Sequence, residues 1–99
     1  MSSALILKLS PRASRDLVSI SRYTRNVWGD AQVTKYASKI SAAFDRLVQN
    51  PQLGSFRDDL PPDERVYLVG KHAIIFRQLG NVVEILRILH QHMNRADHA

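Results

Sequence analysis

Residues 71–94 read KHAIIFRQLGNVVEILRILHQHMN, and their pattern decides the fold. Two apolar runs flank Gly80-Asn81, a two-residue hairpin signal in which both turn residues are expected to take positive φ. Upstream, Gly70-Lys71 separates the run 65–69 from 72–79 in the same manner. Two tight turns in succession make a β-meander over 65–69, 72–79 and 82–90. Its last strand runs straight into His90, His92 and Asn94, a polar and partly titratable knot that marks a binding or reactive face.

Outward from the meander, LILKL at 5–9 is short, aliphatic and partly alternating, and reads as a strand. Ser10-Pro11 is a helix start, with Ser as N-cap and Pro at the first helical position, where its missing N–H costs nothing. Ala13, Leu17, Ile20, Thr24 and Val27 recur at helical spacing. Gly29 ends that helix and Asp30 is expected to cap the next, whose apolar stripe is Val33, Ala37, Ile40, Phe44 and Leu47. Asn50-Pro51 closes it. So short a link makes the two helices an antiparallel hairpin. Residues 51–64 carry three prolines, one glycine and four acids and are expected to hold no regular element. The order is β-α-α-β-β-β, an α+β fold with a helical hairpin packed on an antiparallel sheet.

Ninety-nine residues, 44% of them apolar, suffice for a single domain, 1–99, with 91–99 expected as a flexible tail. The chain has no cysteine, which excludes disulfides and thiolate metal sites. No apolar run approaches the roughly 20 residues needed to span a bilayer, and the N-terminal apolar stretch is too short for a signal peptide. A soluble cytoplasmic protein is the expectation. The net charge of +5 is uneven: residues 1–50 hold eight Lys/Arg against three Asp, whereas 51–99 hold six of each sign. A basic half suits nucleic acid, an acidic protein partner or simply water. No RGG tract and no aromatic cluster interleaved with basic residues is present, so sequence-specific nucleic-acid binding is not expected.

If both hairpins are plain two-residue turns, Leu79 faces Val82 and Val69 faces His72. One sheet face then carries Val66, Leu68, Ala73, Ile75, Leu79, Val82, Leu86 and Ile88, broken only by a cross-strand Arg77–Glu84 pair, and is expected to hold the helices. The other carries Arg65, Tyr67, Val69, His72, Ile74, Phe76, Gln78, Val83, Ile85, Arg87, Leu89 and Gln91. It is too apolar to stay wet and too charged for a dry core, a mixture that suits a partner. A bulge in either hairpin would swap the faces beyond it.

At this point the chain resembles the ParE toxins of the RelE/ParE superfamily, over residues 7–95. The marks are Leu9-Ser10-Pro11-Arg12-Ala13, Tyr23-Thr24 before Trp28-Gly29, and Asn50-Pro51 before Leu53-Gly54. Then come Arg65, Val69-Gly70-Lys71-His72, Ile74, Phe76-Arg77, and Ile85, Arg87-Ile88-Leu89-His90, Met93-Asn94. Phe76 stands where many such sequences have Tyr, and Asn94 where Asp is common. Asp63-Glu64 precede Arg65 where a glycine-containing turn is more usual. The resemblance implies a bacterial toxin neutralised by a ParD-like antitoxin whose acidic tail wraps it, and inhibition of DNA gyrase. RelE-like cousins on the same fold instead cleave mRNA on the ribosome.

A metal-free ribonuclease needs a base, cations beside the phosphate and an acid. Arg65, Tyr67, His72, Arg87 and His90 are the candidates for those roles. The neutral sheet half and the LHQHMN ending argue for binding rather than catalysis. On the binding reading, Arg65, His72, Arg87, His90, His92, Asn94 and Arg95 meet the target. Arg12, Arg15, Arg22, Tyr67, Phe76 and Arg87 meet the antitoxin. His90 and His92, two apart, share a strand side, but no third ligand is evident except His98. No metal and no cofactor is expected.

Overall fold

The computed structural model describes residues 5–91. Strand β1 (Ile6–Leu9) leads into helix α1 (Pro11–Trp28), and α2 (Asp30–Gln49) completes the hairpin. Ser10 caps α1 as its sequence implies: its Oγ accepts the Ala13 N–H at 3.0 Å, and Pro11 opens the helix. The same hydroxyl donates to the Leu86 carbonyl at 2.8 Å, riveting the helix start to the last strand. Gly29, at φ +90°, serves both as C-cap of α1 and as N-cap of α2. Asp30 is therefore the first helical residue rather than the cap, and its carboxylate accepts from Arg25 Nε at 3.0 Å.

The segment after α2 holds more order than its prolines suggest. A 3-10 turn spans Pro51–Leu53, and β2 (Ser55–Phe56) pairs with Val66 and Arg65. Gly54 explains the compactness: a Cβ there would run into the Phe76 ring, so only glycine lets the chain lie flat on the sheet. The meander continues as β3 (Glu64–Val69), β4 (His72–Leu79) and β5 (Val82–His90). The five strands lie in the order β1-β5-β4-β3-β2, with β1 parallel to β5 and the other pairs antiparallel. The sheet is thus mixed.

Both hairpins have the expected register, Val69 opposite His72 and Leu79 opposite Val82. Only the first residue of each turn, Gly70 at +54° and Gly80 at +58°, takes positive φ. No non-glycine among the described residues does. This is the pattern of a turn with glycine at its first central position, so Lys71 and Asn81 face no left-handed demand.

Which face carries the helices is the principal correction. Phe76, Ile74, Val83 and Ile85 are fully buried and pack with Ala13, Ile40, Ala43, Phe44 and Leu47 of the helices. That is the face expected to be bare. It wins because Leu5, Leu7 and Leu9, in and just before the edge strand β1, add to it, while Arg65, His72 and Gln78 lie nearer the strand ends, where polar atoms find water or polar partners. A bulge supplies the second change. Ile75 pairs with Arg87 but Phe76 pairs with Ile85, leaving Leu86 as the extra residue. Beyond it the alternation flips, sending Ile88 to the helix core and Leu89 to the opposite face. The opposite face keeps a small cluster of Val66, Ala73, Ile75 and Leu89, covered in part by Leu60 of the 57–63 loop and by Leu86. Arg77 and Glu84 do pair there, at 3.1 Å.

Candidate functional site

One end of the sheet, under the helical hairpin, gathers the polar groups. Tyr36 rides on the apolar stripe of α2, between Val33 and Ile40, so its hydroxyl must find partners inside the protein. It accepts the Lys71 backbone N–H at 3.1 Å, lies 3.3 Å from the Val69 carbonyl and meets His72 Nδ1 at 2.6 Å. Gly70 makes that approach feasible, because a Cβ there would stand 2.7 Å from the Tyr36 hydroxyl. His72 and His90 are cross-strand partners with ring centroids 5.3 Å apart and edge to face. Gln91 then ties the end of β5 to the turn, its N–H donating to Lys71 O and its Nε2 to Gly70 O, both at 2.8 Å.

Burial holds the His72 imidazolium below its ordinary range, and the neighbouring His90 pushes the same way against Asp16. Burial likewise raises the Tyr36 phenol, opposed by the Lys71 N–H. At neutral pH the pair is a phenol against a neutral imidazole. The one phenolic proton serves either the Val69 carbonyl or His72 Nδ1. Donated to Nδ1, it leaves the His72 proton on Nε2; donated to Val69, it leaves the hydroxyl oxygen to accept the His72 proton from Nδ1.

Beside this cluster Arg87 reaches α1. Its Nε and Nη2 donate to the two Asp16 oxygens at 2.8 and 3.1 Å, and the Ile88 N–H donates to Asp16 at 2.9 Å. Both side chains are less than one-fifth exposed. The Asp16 hydrogen bond is the main cause that raises the Arg87 guanidinium further above its ordinary range. Arg87 is therefore not set on a bare flank, and its acid comes from α1.

Two hollows open here. One of about 490 Å³ is bounded by Tyr23, Trp28, Lys39, Lys71, His72 and His90. The other, about 360 Å³, adjoins it at Tyr23, His72 and His90 and continues to Arg87. A third groove, about 280 Å³, runs between the helices along Leu17, Ile20, Val33, Ile40 and Phe44.

Of the candidates for chemistry, the structure brings together His72, His90 and Arg87. It does not bring Arg65, which stacks 4.2 Å over Phe56 and reaches the Gly54 carbonyl at the β2 edge. In register Arg65 shares a rung with the helix-facing Phe76 and Arg87 with Ile75 of the opposite face, so the two do not share one flank. Tyr67 is half-buried against the helix core. Phe76 is fully buried and offers no surface to any partner, which corrects its place among the antitoxin contacts. Arg12, Arg15 and Arg22 are exposed on α1. His92, Asn94 and Arg95, with most of the expected tail, lie outside the described residues. Among the described residues no three His, Cys, Asp or Glu converge as metal ligands, and no helix is long and apolar enough to cross a membrane. Two residues escaped the sequence reading, Tyr36 and Asp16. Each is a polar group three or four positions from core residues on its own helix, the signal that would have found it.

Comparison with known proteins places the chain and its fold. A family profile described as "ParE toxin of type II toxin-antitoxin system, parDE" matches residues 7–95. The chain is 35% identical to Toxin ParE1 of Caulobacter vibrioides over 91 residues, covering 92% of this chain and 94% of that one. Its fold is similar to a chain of the chromosomal ParDE system from P. aeruginosa, with a TM-score of 0.78, 25% identity and coverage of 90% and 98%. It is also similar to a chain of the RelBE2 toxin–antitoxin complex from Mycobacterium tuberculosis, with a TM-score of 0.65, 21% identity and coverage of 89% and 99%, a likeness of fold alone.

Proposed function

The chain belongs to the ParE toxin family of type II toxin–antitoxin systems, and on that premise we propose that it inhibits DNA gyrase and is neutralised by a ParD-like antitoxin. The observation that carries the antitoxin half is the apolar groove between α1 and α2, lined by Leu17, Ile20, Val33 and Ile40. On the exposed surface of α1 lie Val18 and Val27 among Arg12, Arg15 and Arg22. An amphipathic segment with acids beside its apolar residues suits such a surface. For the target, we assign contact to the end of the sheet and the chain just past β5, through His72, His90, His92, Asn94 and Arg95. Arg87 supports that end through Asp16.

The reading is of a binding protein rather than an enzyme. Ribonuclease chemistry asks for several cations on one phosphate, and Arg65 and Arg87 stand on different rungs of different strands with Asp16 already holding Arg87. Purified chain, assayed for gyrase supercoiling and for ribosome-dependent mRNA cleavage on one preparation, is expected to inhibit the first and leave the second untouched. Cleaved mRNA with unimpaired supercoiling overturns the assignment. So does full inhibition by a chain carrying His90→Ala and Arg95→Ala together, as far as the target face is concerned.

A further inference from the structure

The hollow at the tip of the helical hairpin has a composition that toxin–antitoxin pairing does not require. It is bounded by Trp28, Tyr23 and Lys39 from the helices and by Lys71, His72 and His90 from the sheet, and no acidic side chain lines it. Trp28 and Tyr23 are 65% and 62% exposed, large aromatic faces left in water at the rim. Lys39 and Lys71 are exposed, and the Lys71 ammonium is independent of the backbone N–H that Tyr36 engages. Tyr36 occupies His72 Nδ1, which leaves Nε2 as the nitrogen that can serve a ligand. The second hollow shares Tyr23, His72 and His90 and extends the track toward Arg87, whose partner Asp16 is neutralised by it.

We infer that this track binds a single-stranded nucleic acid without sequence preference. Lys39, Lys71 and the histidines would meet phosphates, with unpaired bases stacking on Trp28 and Tyr23. Cations without a competing carboxylate select a polyanion, and exposed aromatic faces beside them select one that carries planar rings. A duplex keeps its bases stacked on each other and has none to offer these side chains. An acidic peptide satisfies the lysines but not the aromatic faces. The continuity of the two hollows favours a strand over a lone nucleotide. This inference shares His72 and His90 with the proposed target face, but its test reads Trp28, Tyr23 and the lysines, so it can fail while the gyrase and antitoxin assignments hold.

Trp28 is the only tryptophan of the chain, so its fluorescence reports the site directly. A mixed-sequence oligodeoxynucleotide of about 12 nucleotides, titrated at low salt, is expected to quench it saturably with a Kd below about 100 µM, the weak end of non-specific binding. The affinity should fall with salt by about 0.7 log unit per log unit for each phosphate engaged. Lys39→Gln with Lys71→Gln should weaken binding ten-fold or more and flatten that slope. Tyr23→Ala, followed by anisotropy of a labelled strand, should weaken it roughly five-fold or more. Both variants alter exposed side chains, and an unchanged circular dichroism melt verifies their fold. Three results overturn the inference: no quenching at about 100 µM strand, quenching unaltered in the lysine variant, or equal affinity for polyglutamate or for the matching duplex. Equal affinity for polyglutamate would make the track a site for acidic peptide.

Discussion

Replacing Asp16 with Ala removes the acceptor of three hydrogen bonds at once, two from the Arg87 guanidinium and one from the Ile88 N–H. What remains is a cation about four-fifths buried with no counter-charge, since its side chain is 19% exposed. The Ile88 N–H, on the edge of β5 beyond the end of β1, also loses its acceptor. Breaking one side of a buried ion pair costs about 3–5 kcal/mol. Part of the guanidinium can still reach water, so the lower end, about 3 kcal/mol, is the expected loss. Against a domain stability of about 5–15 kcal/mol that is a large fraction. At a urea dependence near 2 kcal/mol/M it lowers the unfolding midpoint by about 1.5 M. Asp16→Leu combined with Arg87→Met should recover most of the loss, because an apolar pair of similar volume removes the stranded charge along with its partner. Urea unfolding of Asp16→Leu, of Arg87→Met and of the double variant closes the cycle. A loss below about 0.5 kcal/mol for Asp16→Ala, or additive single effects, refutes the argument that this pair pins α1 to β5.

The same geometry sets two further outcomes. His72 is held neutral in the folded chain by burial and by His90, so its folded pKa lies below the unfolded value near 6.5. The unfolded state then binds the extra proton. Stability should be full above about pH 6.5 and decline as the pH falls below it, with His90, Asp16 and Tyr36 the groups facing the ring. Urea midpoints at pH 7.5 and 5.5 should therefore differ in wild type and draw together in His72→Gln. Gly54→Ala drives a methyl into the Phe76 ring and to 3.0 Å from the Arg65 Cβ, and should cost about 1–3 kcal/mol by thermal melting, despite adding an apolar group.

Much of the fold was legible because its punctuation is local. Ser10-Pro11, Gly29, Asn50-Pro51 and the two glycine turns each act through the backbone of their own neighbours, and every helix and strand they delimit is present. The Arg77–Glu84 pair came from register alone. The covered face was not legible, because both sides of β4 and β5 are aliphatic and only the parallel addition of β1 tips the balance toward Phe76. Nor does ILRILH announce a bulge, since Leu86 and Ile88 are equally at home on either side. The site suffered most. Asp16, Tyr36 and His72 lie far apart along the chain, on two helices and a strand, and meet only when the hairpin closes on the sheet. The aromatic and basic groups of the tip hollow likewise come from α1, α2 and two strand ends, so no single window of sequence contains them.

The start of α1 performs for β5 what a longer first strand would have done. β1 stops at Leu9, opposite Ile85, and the outer edge of β5 beyond that rung would otherwise present unpaired backbone. Instead Ser10 donates its N–H to Ile85 O at 2.9 Å and its hydroxyl to Leu86 O, while Asp16 takes the Ile88 N–H. A helix start offers donors from its cap and an acceptor from the next turn, so it can satisfy a bulged, irregular edge that a regular strand could not track. The bulge and the helix start thus fit each other: Leu86 is displaced where Ser10 reaches it, and Arg87 emerges one position later, where Asp16 holds it. With these backbone groups engaged, a partner has little reason to add a strand here. What this end of the sheet offers is side chains, and those presented beside the Arg87–Asp16 clamp are His72 and His90.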